Sequence, residues 1–151
     1  HAAKGDSILG ELVEIHRAVD HPAFGLCMDP GNIIYYTTTS PEDGPATYRL
    51  PTEGLTEVAH RFSTMIVKDC VCDIGRYDQP ATVMVQPGSG LVDFTAILRL
   101  LRAAGFDGPL NIEKVPGETI ETVDKNFARA RQFVAELVAT TSAYRTTNGC
   151  D

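Results

Sequence analysis

Phe24-Gly-Leu-Cys-Met-Asp-Pro-Gly-Asn32 is the stretch on which the reading of this chain turns. An apolar run this short, with His21-Pro22 before it and Pro30-Gly31 after it, predicts a buried strand and not a helix. Asp29 falls at the carboxyl end of that strand. In parallel α/β folds this is the edge where loops vary and ligands bind, because the sheet holds the strand tips rigid. The pattern then recurs. Thr64 to Asp69 is apolar until Lys68-Asp69, Ala81 to Gln86 is closed by Pro87-Gly-Ser-Gly90, and Pro109 to Ile112 ends in Glu113.

Helical spacing fills the intervals. Ile8, Leu12, Ile15 and Val19 form one stripe behind the capping oxygens of Asp6-Ser7. Pro51-Thr52-Glu53 opens a second helix with Leu55, Val58, Ala59 and Phe62 inward, ending near Arg61. Asp93 caps a third, whose face is Phe94, Ile97, Leu98, Leu101 and Ala104 and which Gly105 terminates. A fourth runs from about Thr119 through Ile120, Val123, Phe127, Ala130, Val134 and Leu137, with Glu118 and Glu121 near its positive end. Residues 33–50 and 70–80 read as loops. His16 reads as a helix-surface residue, His21 as a turn residue and Cys27 as buried packing.

Composition narrows the function. A net charge of -7, from 20 acidic against 13 basic residues, disfavours a nucleic-acid partner, which needs clustered Lys and Arg to displace counterions. The four cysteines include a lone CxC at Cys70 and Cys72 with no second pair, so zinc-finger and disulfide-scaffold readings fail. No apolar run is long enough to span a membrane and residues 1–20 are too polar for a signal peptide, which makes a cytoplasmic location the expectation. The chain opens on His1 and not on Met, so it is read as a stretch of a longer polypeptide.

Alternating helices and strands predict a parallel sheet with right-handed crossovers. Four such strands leave two open edges, and a closed eight-stranded barrel needs roughly 250 residues. The chain therefore reads as half of something. Leu26, Met65 and Val83 are expected on the open inner face, which implies association with a missing barrel half or with another copy.

Asp29-Pro-Gly-Asn32, Val67-Lys-Asp69, Gly88-Ser-Gly-Leu-Val-Asp-Phe94 leading into Ile97-Leu98, Ala104-Gly-Phe-Asp-Gly108 and Ile112-Glu113, in that order and spacing, resemble the xylose isomerase-like TIM barrels. This is the sugar phosphate isomerase/epimerase superfamily. The resemblance covers nearly the whole chain and falls on the carboxyl-terminal half of the barrel. It implies a half TIM barrel over residues 1–139, with four parallel strands corresponding to strands five to eight, and a polar tail over 140–151.

The resemblance also implies a site. Family members hold one divalent metal through a Glu, an Asp, a His and a Glu on strands four, five, six and eight; by position Asp29 and Glu113 are the Asp and the last Glu, with Mn2+ or Mg2+ as the expected cofactor. The strand-four Glu lies outside this sequence, and Ile66, which offers no lone pair, stands where the family has its His. The implied chemistry is proton transfer at carbon on a sugar, sugar phosphate or polyol, an isomerase or epimerase reaction with Glu113 as acid/base. Lys68 is a second catalytic candidate, filling the vacant strand-six role as a cation that pairs with a carboxylate or binds an anionic substrate. Asn32, Asp69 and Arg76 are candidate substrate contacts. Ile66 equally supports a non-catalytic or metal-independent sugar-binding module. The DNA-repair branch of the superfamily is disfavoured by the acidic balance and by Thr82 and Met84 at its ligand positions. Gly88-Ser-Gly90 before a helix suggests a phosphate cradle, but Asp93 at the cap would repel an anion, so the motif reads as turn chemistry.

Overall fold

The computed structural model describes residues 8–38, 47–73 and 81–142. The elements run α1 (Ile8–Val19), β1 (Leu26–Met28), α2 (Pro30–Thr37), α3 (Leu55–Val58) with a 3-10 turn over Ala59–Arg61, β2 (Phe62–Val67), β3 (Asp69–Asp73), β4 (Ala81–Val85), α4 (Phe94–Ala103), β5 (Leu110–Ile112) and α5 (Ile120–Ser142). Strands β1, β2 and β5 form a parallel sheet in the order β1-β2-β5. The architecture is α/β, and a partial barrel wall accounts for it.

Two elements differ from expectation. Ala81–Val85 is not a strand of the parallel sheet; it pairs antiparallel with Asp69–Asp73, most of which is expected to be loop. Only residues 74–80 separate the two, and a parallel return needs a crossover of about a dozen residues or more. The strand ending at Glu113 therefore pairs directly with β2, and three parallel strands replace the expected four. The second change is helix α2, within a stretch read as loop. Asp29 caps it, accepting a hydrogen bond from Asn32 N at 3.0 Å, with Pro30 in its first turn where a missing N–H costs nothing.

Element order otherwise follows the sequence, but the stripes expected on α1 and α5 do not hold throughout: Ile15, Val19, Ile120 and Phe127 are exposed, and Leu9 and Val13 are the residues α1 buries. Asp93 caps α4 through Ala96 N at 2.9 Å, and Gly105, at φ +92°, ends it. Helix α5 continues past Ala139 to Ser142, with Thr141 buried. The His16 ring lies tilted against Phe24 and meets Arg61 at 3.1 Å, and the His21 ring accepts the N–H of Ala23 in a turn. Asp6-Ser7 lies outside the described residues.

The core lies on one face of the parallel sheet. Leu26, Met28, Met65 and Val67 are buried there with Leu9 and Val13 of α1, Leu55 of α3 and Ile97, Leu98 and Leu101 of α4. This reverses the expected facing of Leu26 and Met65, which lie under helices and not on the open side. Strand side chains alternate, so an error of one position exchanges the two faces. The open face instead carries Cys27, Thr64, Ile66 and Asn111, with Asn111 Nδ2 donating to Thr64 Oγ1 at 2.8 Å. Cys27, expected as buried packing, is exposed there. Val83 is exposed as expected, but on the hairpin. Among the described residues no helix is long and apolar enough to cross a membrane.

Candidate functional site

Each of the three parallel strands delivers a charged side chain just beyond its carboxyl end. Asp29 follows β1, Lys68 follows β2 and Glu113 follows β5, and because the strands are neighbours the three converge. Lys68 Nζ lies 3.0 Å from Asp29 Oδ2 and 3.2 Å from Glu113 Oε1. Lys68 is only 3% exposed, whereas the Glu113 side chain is 42% exposed. The ammonium is thus enclosed while one of its partners opens to solvent.

Backbone detail fixes this geometry. Glu113 N–H donates to Val67 O at 3.2 Å, extending the β2–β5 ladder to the tip. Lys114 then turns the chain sharply at φ +54°, a conformation uncommon outside glycine. The Asp29 carboxylate serves two partners, Oδ1 taking the Asn32 N–H and Oδ2 the ammonium. Gly31 lets the first turn of α2 lie on the lysine stem: a Cβ there would come 2.9 Å from Lys68 Cγ and 3.0 Å from Lys68 O.

Burial alone would push the Lys68 ammonium toward losing its proton, but hydrogen bonds and charge attraction from Asp29 and Glu113 outweigh it, so its pKa rises above the usual 10.5. A lysine held this way is a poor nucleophile, which argues against Schiff-base chemistry. Partial desolvation, with the Asp29 and Glu113 charges, also pushes the nearby Cys27 thiol up.

Asn32 stands on the first turn of α2, beside a cleft of about 230 Å³ lined also by Cys27, Asp29, Ile33 and Tyr36. Asp69 has a different place from the one expected. It is fully buried, and its two oxygens accept four backbone N–H groups: Cys70 at 2.9 Å and Val92 at 3.1 Å on Oδ1, Gly88 at 3.0 Å and Gly90 at 2.8 Å on Oδ2. Those bonds leave it committed to the loop and not to a substrate. The Gly88-Ser-Gly90 turn does cradle an anion, and the anion is this internal carboxylate. Arg76 lies outside the described residues. The sequence reading missed Gly31 and Tyr36; Asp29-Pro30 as a cap followed by a first-turn proline was the available signal for the helix that carries them.

The family model for xylose isomerase-like TIM barrels matches residues 1–137. This chain belongs to that family. Among solved structures it is similar to a xylose isomerase domain protein from Planctomyces limnophilus, at 26% identity and TM-score 0.70, over 92% of this chain and 46% of that one. It also superposes on a xylose isomerase-like TIM barrel protein from Mycobacterium smegmatis in complex with magnesium, at 20% identity and TM-score 0.65, over 88% of this chain and 40% of that one. The chain thus spans less than half the length of either. No functionally curated protein matches it.

Magnesium belongs to the mycobacterial complex, and the residues described here do not fit such an ion. Divalent cations of this class need several oxygen or nitrogen donors around one point. No group of three or more His, Cys, Asp or Glu side chains that could hold a metal occurs among the described residues. The two carboxylates that do converge already share an ammonium.

Proposed function

We propose that this chain forms part of a sugar or polyol isomerase, with Glu113 as the proton-transferring base and Lys68 as the group that stabilises negative charge on the substrate. The observation carrying this reading is the single ammonium within 3.2 Å of two strand-tip carboxylates, one of them open to solvent. Removing a proton from a carbon beside a carbonyl requires a base at the carbon and a positive group at the oxygen. A substrate carbonyl entering beside Glu113 would take a hydrogen bond from Lys68. Glu113 would then receive the proton from the adjacent hydroxyl-bearing carbon, and the negative charge would develop on the oxygen facing the ammonium. Return of that proton to the former carbonyl carbon, with a hydroxyl proton passing to the other oxygen, completes an aldose–ketose exchange with one base. Asn32 would hold a neighbouring hydroxyl. Epimerisation requires a second acid/base on the opposite face of the carbon and so asks more than these residues provide.

Glu113→Gln in the protein is expected to lower kcat by about 10²- to 10⁴-fold with a much smaller change in KM, measured by following interconversion of aldose and ketose substrates. Ile66 on the open face, a residue with nothing to offer a ligand but apolar contact, supports a second reading, a sugar-binding module without turnover. Saturable sugar binding that survives Glu113→Gln, with no conversion by either form, would favour that module.

A further inference from the structure

We infer that Lys68 is the resident cation of this site and that the site takes its ligand without a divalent metal. This deepens the reading above, but it rests on geometry and its test does not require turnover. Asp29 Oδ2 and Glu113 Oε1 are the carboxylate oxygens that converge at the strand tips, and Lys68 Nζ stands between them at 3.0 and 3.2 Å. A divalent ion binds oxygens at about 2.0–2.6 Å, so one bridging this pair would occupy the space the ammonium fills. The ammonium has little room to withdraw. Its residue is 3% exposed, and its stem lies against Gly31, where even a methyl group would approach Cγ to 2.9 Å. The next residue, Asp69, is pinned through four backbone hydrogen bonds, so the backbone that delivers Lys68 is itself fixed.

The neighbouring positions agree. Ile66, paired with Asn111 across the β2–β5 ladder, provides no lone pair on the open face. Two of the ammonium's three N–H donors go to Asp29 and Glu113, and the third suits an uncharged carbonyl or hydroxyl oxygen. Two carboxylates around one ammonium leave the cluster with net negative charge, which opposes a phosphate or carboxylate placed against it. An uncharged, unphosphorylated sugar is therefore the ligand class that fits, in place of the anionic substrate that Lys68 suggests when read without its partners.

Calorimetric titration of Mn2+ into the metal-free protein tests this directly. No saturable binding is expected below about 1 mM in the wild type, and its thermal midpoint should be the same in EDTA and in Mn2+. The double variant Ile66→His with Lys68→Ala, checked for folding by circular dichroism, should gain Mn2+ binding at least about tenfold tighter. Saturable wild-type binding that Asp29→Asn abolishes overturns the inference, whereas binding that Asp29→Asn leaves intact lies elsewhere and agrees with it. A folded double variant that gains nothing also overturns it, because the ammonium would then not be what keeps a metal out. Should the double variant not fold, the wild-type and Asp29→Asn titrations decide alone. Loss of the catalytic reading through an inactive protein would leave every one of these titrations unaffected.

Discussion

Lys68 and Asp69 are consecutive and both withdrawn from water, at 3% and 0% exposure, yet their charges are neutralised by different means. Asp69 is surrounded by four backbone N–H groups, three of them donated by the loop that leads into α4. Releasing it would strip partners from buried backbone, so it serves as a fixed point of the scaffold. Lys68 is neutralised by two side chains, and one of those, Glu113, is 42% exposed. A ligand can displace that partner without disturbing the backbone. The lesson is that burial of a charge does not distinguish support from chemistry; the exposure of what neutralises it does.

Three substitutions would break or sharpen this contrast. The largest effect is expected from Asp69→Ala, which leaves buried donors unpaired at about 1–3 kcal/mol each; a loss of about 4 kcal/mol in urea unfolding is expected after the loop relaxes. Equal stability in the variant would show that Asp69 does not hold the loop.

Lys68→Met comes next, at about 2 kcal/mol, below the roughly 3–5 kcal/mol of a fully enclosed pair because Glu113 is partly wet. Its pH dependence is the sharper measurement. The folded pKa of Lys68 lies above its ordinary 10.5, so its stabilising contribution is complete at neutral pH and disappears only as pH rises past 10.5 through the higher folded value. Urea midpoints of wild type and Lys68→Met should therefore differ by a constant amount from pH 7 to 10 and converge above that. A gap that closes between pH 7 and 9 would contradict the pairing.

The smallest effect is expected from Gly31→Ala. Its added carbon would crowd Lys68 Cγ and the Lys68 carbonyl, at a cost of about 1–2 kcal/mol as the stem shifts. Ligand affinity should fall with it while the Asp69 loop keeps its amide hydrogen-exchange protection. Parallel loss of both would show that the two charges are not independent.

Much of this was legible in the residues. Apolar runs that stop at a carboxylate marked Asp29 and Glu113, and helical spacing with Asp93 and Gly105 marked α4 almost to the residue. Other features need three dimensions. Leu26-Cys27-Met28 is apolar throughout, so its alternation could not be read and the two faces were exchanged. Tyr35, Tyr36 and Thr37 favour strands, and that preference masked a helix that its first-turn chemistry starts. Asp69 reads as a substrate contact because backbone N–H groups, its actual partners, leave no trace in side-chain identity. The role of Gly31 is a close approach to a lysine distant in sequence, which spacing cannot report.

The division of labour within the Asp29 carboxylate has a mechanical corollary. One oxygen starts helix α2 and the other steadies the ammonium, so any molecule that draws on Lys68 also tugs at the root of that helix. Tyr36, 73% exposed and edge-on to Tyr35 at 5.0 Å, rides on the same helix and lines the adjoining cleft. Tyrosine fluorescence is therefore expected to change when a sugar fills the strand tips, which a titration would check.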